Sequence, residues 1–156
     1  MKPTMNRNEL LDNESIWNAV VSVLSEADLP EDDPVMREAF LLYHYYSEME
    51  SGGHEGLLTW FGDEISEMGI GSYVQQLADA LAIIGAEEYA VIEKTYGPEL
   101  WRLFISLEGN DRAEEEFYEV AEQADGAYHA LEAKLEQRLE TYFTQIHTAV
   151  IDVTEP

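Results

Sequence analysis

Helix start and stop signals, placed at short intervals between apolar stripes of period three and four, constrain this chain more than any other feature. Asp33-Pro34 is a helix start, a capping carboxylate ahead of a proline at the first helical position. Val35, Ala39, Leu42, Tyr46 and Met49 then fall on one stripe, widened by Met36, Phe40 and Tyr43, so this helix is expected to be central. It should stop at Gly52-Gly53, because glycine enters the left-handed conformation that closes a helix without steric cost. Gly85-Ala86 gives a second stop of the same kind after Val74, Leu77, Leu81 and Ile84. Strand-like alternation of any length is absent. The spacing predicts an all-α single domain of about eight helices.

Along the rest of the chain, residues 1–12 read as a flexible N-terminal arm, 13–150 as the helical domain and 151–156 as a tail. Asn13 is the expected cap of a first helix bearing Trp17, Val20, Val21 and Leu24. A third helix carries Leu58, Phe61, Ile65 and Met68, with Gly56 or Gly62 as possible bends, and Gly69 to Ser72 forms a capped turn. Glu87-Glu88 open a helix with Tyr89, Ile92 and Tyr96 on its face, and Gly97-Pro98 is expected to restart the chain. Beyond the turn Glu108 to Asp111, a helix buries Ala113, Phe117, Val120 and Ala124. After a break near Gly126, one stripe runs Tyr128, Leu131, Leu135, Leu139, Tyr142, Ile146 and Val150.

Charge then narrows the function classes. Asp and Glu number 33 against 8 Lys and Arg, a formal net charge of -25. Such a field repels nucleic acid and anionic lipid and attracts basic proteins. Direct nucleic-acid binding and membrane association are therefore not expected. Three Trp, nine Tyr and five Phe argue for a packed fold rather than an acidic disordered chain. Cysteine is absent, the N-terminus leads into no apolar segment, and no catalytic motif is present; a cytoplasmic, non-enzymatic protein without cofactor or metal is the expectation.

At Ser51-Gly52-Gly53, and again at Ala80-Leu81-x-x-Ile84-Gly85-Ala86-x-x-Tyr89-Ala90, the chain resembles the DNA-mimic protein family, whose members carry a helical domain otherwise catalogued as of unknown function. The resemblance is carried by the middle third. It departs where the family usually has phenylalanine after the glycine pair, which is His54 here, and where a following glutamine and aromatic are Gly56 and Leu57. The resemblance implies an all-helical fold, no enzymatic activity, and imitation of DNA towards a DNA-binding protein.

Two series of acids could carry that imitation. Asp111, Glu115, Glu119 and Glu122 follow at spacings of four, four and three, and Glu132, Glu136 and Glu140 at four and four. Like charges so placed destabilise a helix by roughly 0.2–0.5 kcal/mol per pair, so local helix stability does not account for them. A solvated face suffices to explain any one row. Their conjunction with the whole-chain charge favours carboxylates standing in for phosphates, with a basic DNA-binding protein such as a transcription regulator as partner. Lys134 and Arg138 interrupt a uniform copy. An immunity-type or scaffold protein covering a basic partner would use the same charge without imitating DNA. A carboxylate-histidine metal site is a weaker alternative, from the spacings of His44 with Glu48, Glu50 with His54, and Asp125 with His129 and Glu132. Among Tyr43, Tyr45, Tyr46, Trp60 and Phe61, most are expected in the core, with Tyr45 outside. The Tyr128 to Val150 stripe is expected to pack on the chain's own core, with a homodimer seam as the alternative.

Overall fold

The computed structural model describes residues 2–30 and 32–155; Met1 of the expected arm, Glu31 of the linker before Pro34 and Pro156 of the expected tail lie outside the described residues. Eight α-helices are formed among the described residues. The long second helix, α2 (Pro34–Ser51), is the axis on which they assemble. Asp33 caps it, its carboxylate accepting from the Met36 N–H at 3.2 Å, with Pro34 in the first turn. Around α2 pack α1 (Asn13–Glu26), α3 (Gly53–Trp60), α5 (Ile70–Ile83) and α8 (Lys134–Val150). Phe40, Leu41, Leu42, Tyr45 and Met49 of α2 are all buried, so this helix is covered on several sides and has no wholly polar face.

That enclosure corrects one expectation. Tyr45, expected outside, is fully buried, because a helix packed on several neighbours buries positions off its main stripe. Trp60, grouped with the core aromatics, is instead 48% exposed.

The glycine stops act as read. Gly52 closes α2 through its N–H to the Glu48 carbonyl at 2.7 Å, and Gly53 takes a φ of +63°. At the end of α5 the Ala86 N–H reaches back to the Leu81 carbonyl at 2.8 Å and the Gly85 N–H to that of Ala82 at 3.0 Å. With Gly85 at φ +74° and Ala86 fully buried, this is a Schellman closure. Gly52, Gly53, Gly85 and Ala86 thus earn their places through chain geometry.

Elsewhere the helix count is right while several boundaries are not. Asp12, not Asn13, caps α1, accepting from the Ser15 N–H at 2.7 Å. The third helix divides at the fully buried Phe61 into α3 and α4 (Gly62–Met68). Ser72 lies inside α5, the turn before it being made by Gly69 at φ +88°. Conversely, α6 (Glu87–Phe104) runs straight through Gly97-Pro98. A proline clashes with the backbone N–H and the Cβ of a helical residue before it, and Gly97 has no Cβ. The same bare position lets α5 approach: a Cβ on Gly97 would stand 2.9 Å from Val74 Cγ2. The helix α7 (Asp111–His129) passes through Gly126, and the break falls later, at Glu132 and Ala133, both left-handed at φ +56° and +61°. Tyr128 and Leu135 therefore lie on different helices. The long stripe is cut in two, and Leu135, Leu139, Tyr142 and Val150 are buried in the chain's own core.

The ends are not loose. β1 (Thr4–Asn6) pairs in parallel with β2 (Asp152–Thr154), Met5 opposite Val153, and a 3-10 turn at Arg7–Glu9 leads to the buried Leu10. No helix among the described residues is long and apolar enough to cross a membrane.

Candidate partner-binding surface

On α7 the buried residues Ala113, Phe117, Ala121, Ala124 and Tyr128 define the inner face, packed on α6 and α3. With 3.6 residues per turn, Asp111, Glu115, Glu119 and Glu122 fall within an arc of about 80° on the opposite side, spread over about 16 Å of axis. All four are exposed. Asn110 fixes the start of this helix, its side chain accepting from the Ala113 N–H at 3.1 Å, so the row hangs on a capped and anchored element. Nearby cations do little to neutralise it: Arg112 reaches Glu116 at 3.4 Å, both exposed, a pairing of small energetic weight.

The second row does not survive as a row. Glu132 belongs to the left-handed turn, off the helix that carries Glu136 and Glu140, because the chain must reverse between α7 and α8 there. Glu136 and Glu140 flank a recess with Glu14 and Trp17 where α8 meets α1. Whereas α7 rests on α6 and α3, α8 rests on α1 and α2, so the two sets of acids have separate supports.

A different set of carboxylates is gathered inside the fold. His54, 1% exposed, directs Nε2–H to Glu93 at 2.8 Å and 3.0 Å and Nδ1–H to Asp125 Oδ1 at 2.6 Å; its backbone N–H also reaches Asp125 at 2.9 Å. The Tyr45 hydroxyl donates to Glu93 Oε2, the oxygen nearer His54, at 2.8 Å, and Glu93 is 3% exposed. With both ring nitrogens facing carboxylates, the ring is an imidazolium. Burial alone would push its pKa down, but the Glu93 charge and the hydrogen bonds to Asp125 and Glu93 outweigh that and raise it to about 9. Burial also opposes ionisation of Asp125, yet the His54 hydrogen bonds hold it below the usual carboxylate range. Burial, then the neighbouring Glu93 charge, pushes the Tyr45 hydroxyl well above its ordinary value. This knot joins α2, α3, α6 and α7. The glycine before it is required twice over: besides its positive φ, a Cβ on Gly53 would stand 2.5 Å from Asp125 Oδ2.

The metal alternative meets this geometry directly. Both nitrogens of His54 are occupied, and His44, buried, uses Nε2 on the Leu24 carbonyl at 3.1 Å. No group of three or more acidic or histidine side chains suited to a metal ion is assembled among the described residues.

Sequence reasoning did not find Glu93. A signal existed: it falls four residues after Tyr89 and seven before Leu100, on the buried stripe of α6, where an isolated acid requires an internal partner.

A family model for the DMP19-like protein matches residues 31–146. The chain belongs to the DMP19-like protein family. The matched span runs from just before α2 into α8, so it includes both acidic series, the His54 knot and both glycine closures, and leaves out α1 and the paired terminal strands. No curated protein and no solved structure matches the chain.

Proposed function

We propose that this protein is a non-enzymatic acidic binding protein that imitates the charge of DNA and occupies the nucleic-acid site of a basic DNA-binding protein such as a transcription regulator. The observation that carries this reading is the outward row Asp111, Glu115, Glu119 and Glu122 on the capped, anchored α7 of a chain at -25. Four charges over about 16 Å compare with about five phosphates on one DNA strand over the same length, at 3.4 Å each. Membership of the DMP19-like family supports the same reading. The mechanism is competition: the acidic field steers a basic protein into encounter, and the carboxylates then hold the side chains that would otherwise hold phosphates. The partner is a protein of a cytoplasmic compartment, and no nucleic acid or membrane is bound directly.

The decisive experiment immobilises the protein, passes host lysate over it at low salt, and challenges the retained proteins with duplex DNA. A DNA-binding protein should be retained, released as salt rises, and displaced by the duplex. Retention of a partner that stays in place while also binding duplex would instead identify a scaffold or immunity-type protein. Sedimentation of the isolated protein tests the homodimer, for which the Tyr128 to Val150 stripe is no longer available as a seam.

A further inference from the structure

Beside the α7 row lies a groove between the end of α2 and α3, lined by Glu48, Gly52, Glu55, Gly56, Thr59 and Trp60. Gly52 and Gly56 let the end of α2 and the first turn of α3 close on each other: a Cβ on Gly52 would stand 3.2 Å from Gly56 Cα, and one on Gly56 would stand 3.1 Å from Glu48 Oε2, so the Glu48 carboxylate lies over the bare Gly56. At one end Trp60 lies flat on His44, ring centroids 4.9 Å apart with 22° between planes, which holds the indole open to solvent. His44 cannot compete as a cation there, because burial lowers its pKa. On the flank, Glu48 is partly buried, and desolvation raises its carboxyl above its ordinary value. Glu55 is positioned by the Tyr118 hydroxyl, which donates to Oε1 at 3.2 Å, and Tyr118 projects from α7 next to Glu115 and Glu122 in the helical sequence of positions. The groove is thus continuous with the acidic face.

We propose that this groove is an arginine slot: it takes the guanidinium of one arginine of a basic partner, stacked on Trp60 and paired with Glu48 and Glu55. Charge complementarity selects a cation, and an exposed aromatic face backed by a second ring favours the delocalised guanidinium over a compact, strongly hydrated ammonium. Two carboxylates on the walls supply the acceptors. This rests on the reading that the chain binds a basic protein, and it names the side chain that such a partner must present.

The test uses two peptides of equal charge, nine arginines and nine lysines, titrated into the whole protein at physiological salt. A general acidic field binds both alike. The slot predicts tighter binding of the arginine peptide, a shift of the Trp60 indole N–H resonance larger than those of Trp17 and Trp101, and loss of about 5-fold in arginine-peptide affinity for Trp60→Leu. Glu48→Gln should also erase the preference, while Glu87→Gln, which removes one charge outside the groove, should lower both affinities equally. Equal binding of the two peptides, or an arginine preference that survives both groove variants, overturns the slot. Either result leaves the duplex-competition experiment unaffected, so failure of the slot and failure of DNA imitation are read separately.

Discussion

The His54 knot and the outer face of α7 use the same chemical group to opposite ends. Inside, Glu93 and Asp125 are held against an imidazolium and a tyrosine hydroxyl, so their charges are matched atom by atom. Outside, Asp111, Glu115, Glu119 and Glu122 face water with little cationic company. A buried charge is costly unless partnered, and removing its partner exposes that cost; a solvated charge adds little to stability and projects its field instead. The contrast teaches that a strongly acidic chain divides its carboxylates between holding the fold and presenting a surface, and that burial decides which does which.

The largest effect should come from breaking the inner pairing. His54→Phe leaves Glu93 buried with only the Tyr45 hydroxyl. It is expected to cost about 3–5 kcal/mol in urea unfolding. Adding Glu93→Leu should recover part of that loss, because an apolar pair can replace a buried ion pair while the buried Tyr45 hydroxyl is left without its acceptor. If the single variant loses under 1 kcal/mol, the inner carboxylates behave like the outer ones and the comparison collapses.

Next in size is the pH response of the same group. The folded pKa of His54, about 9, lies above the ordinary 6.5, so its stabilisation is fully present below pH 6.5 and is lost as pH rises through 9. The shift corresponds to about 3 kcal/mol. On the acid side the sign reverses: Asp125 is depressed in the fold, so its contribution is present above pH 3.8 and fades as pH falls through its lowered value. Unfolding free energy measured between pH 6 and 10 should decline for the native chain and stay flatter for the His54→Phe, Glu93→Leu double variant.

How much of this was legible follows from where the information resides. Start and stop residues act locally, so Asp33, Gly52, Gly53 and Gly85 could be read from spacing alone. Pro98 was misread although part of its tolerance is local, in the missing Cβ of Gly97, whereas the packing of α6 on Val74 that holds the helix together there is a contact between helices. The turn at Glu132 and Ala133 was hidden for the opposite reason. Neither residue favours the left-handed region, and the chain adopts it because α7 and α8 must both reach the core. Pairing of the termini joins residues about 150 apart in sequence, beyond any local pattern. Of the candidate surface, the α7 row was legible because it needs only one helix. The row through Glu132 failed because it needed the turn, and the knot was missed because it needs four helices at once.

Gly53→Ala probes the seam between the two regions, since Gly53 precedes His54 and faces Asp125. A left-handed alanine costs about 1–2 kcal/mol, and its Cβ, 2.5 Å from Asp125 Oδ2, must also displace that carboxylate from the imidazolium. A destabilisation of about 2 kcal/mol in thermal or urea unfolding is expected, with the alkaline decline retained because Glu93 still faces His54. A neutral result would mean that Asp125 is expendable to the knot and belongs with the outer acids.

The smallest effect on stability should come from the outer face itself. In Glu115→Gln, Glu119→Gln the like-charge contact at a spacing of four is removed, which relieves roughly 0.2–0.5 kcal/mol, so the variant should be as stable as the parent or slightly more so. Binding to a basic partner should move the other way. Steering depends on summed surface charge and is screened within about 8 Å at physiological ionic strength, so the variant should associate more slowly and with a shallower dependence on salt. Stopped-flow association at several salt concentrations measures this directly. A stability gain together with a slower, less salt-sensitive encounter is the signature of charge retained at a cost to the helix. An unchanged salt slope would show that these carboxylates serve solubility alone, and the face of α7 would lose its claim to imitate a phosphate strand.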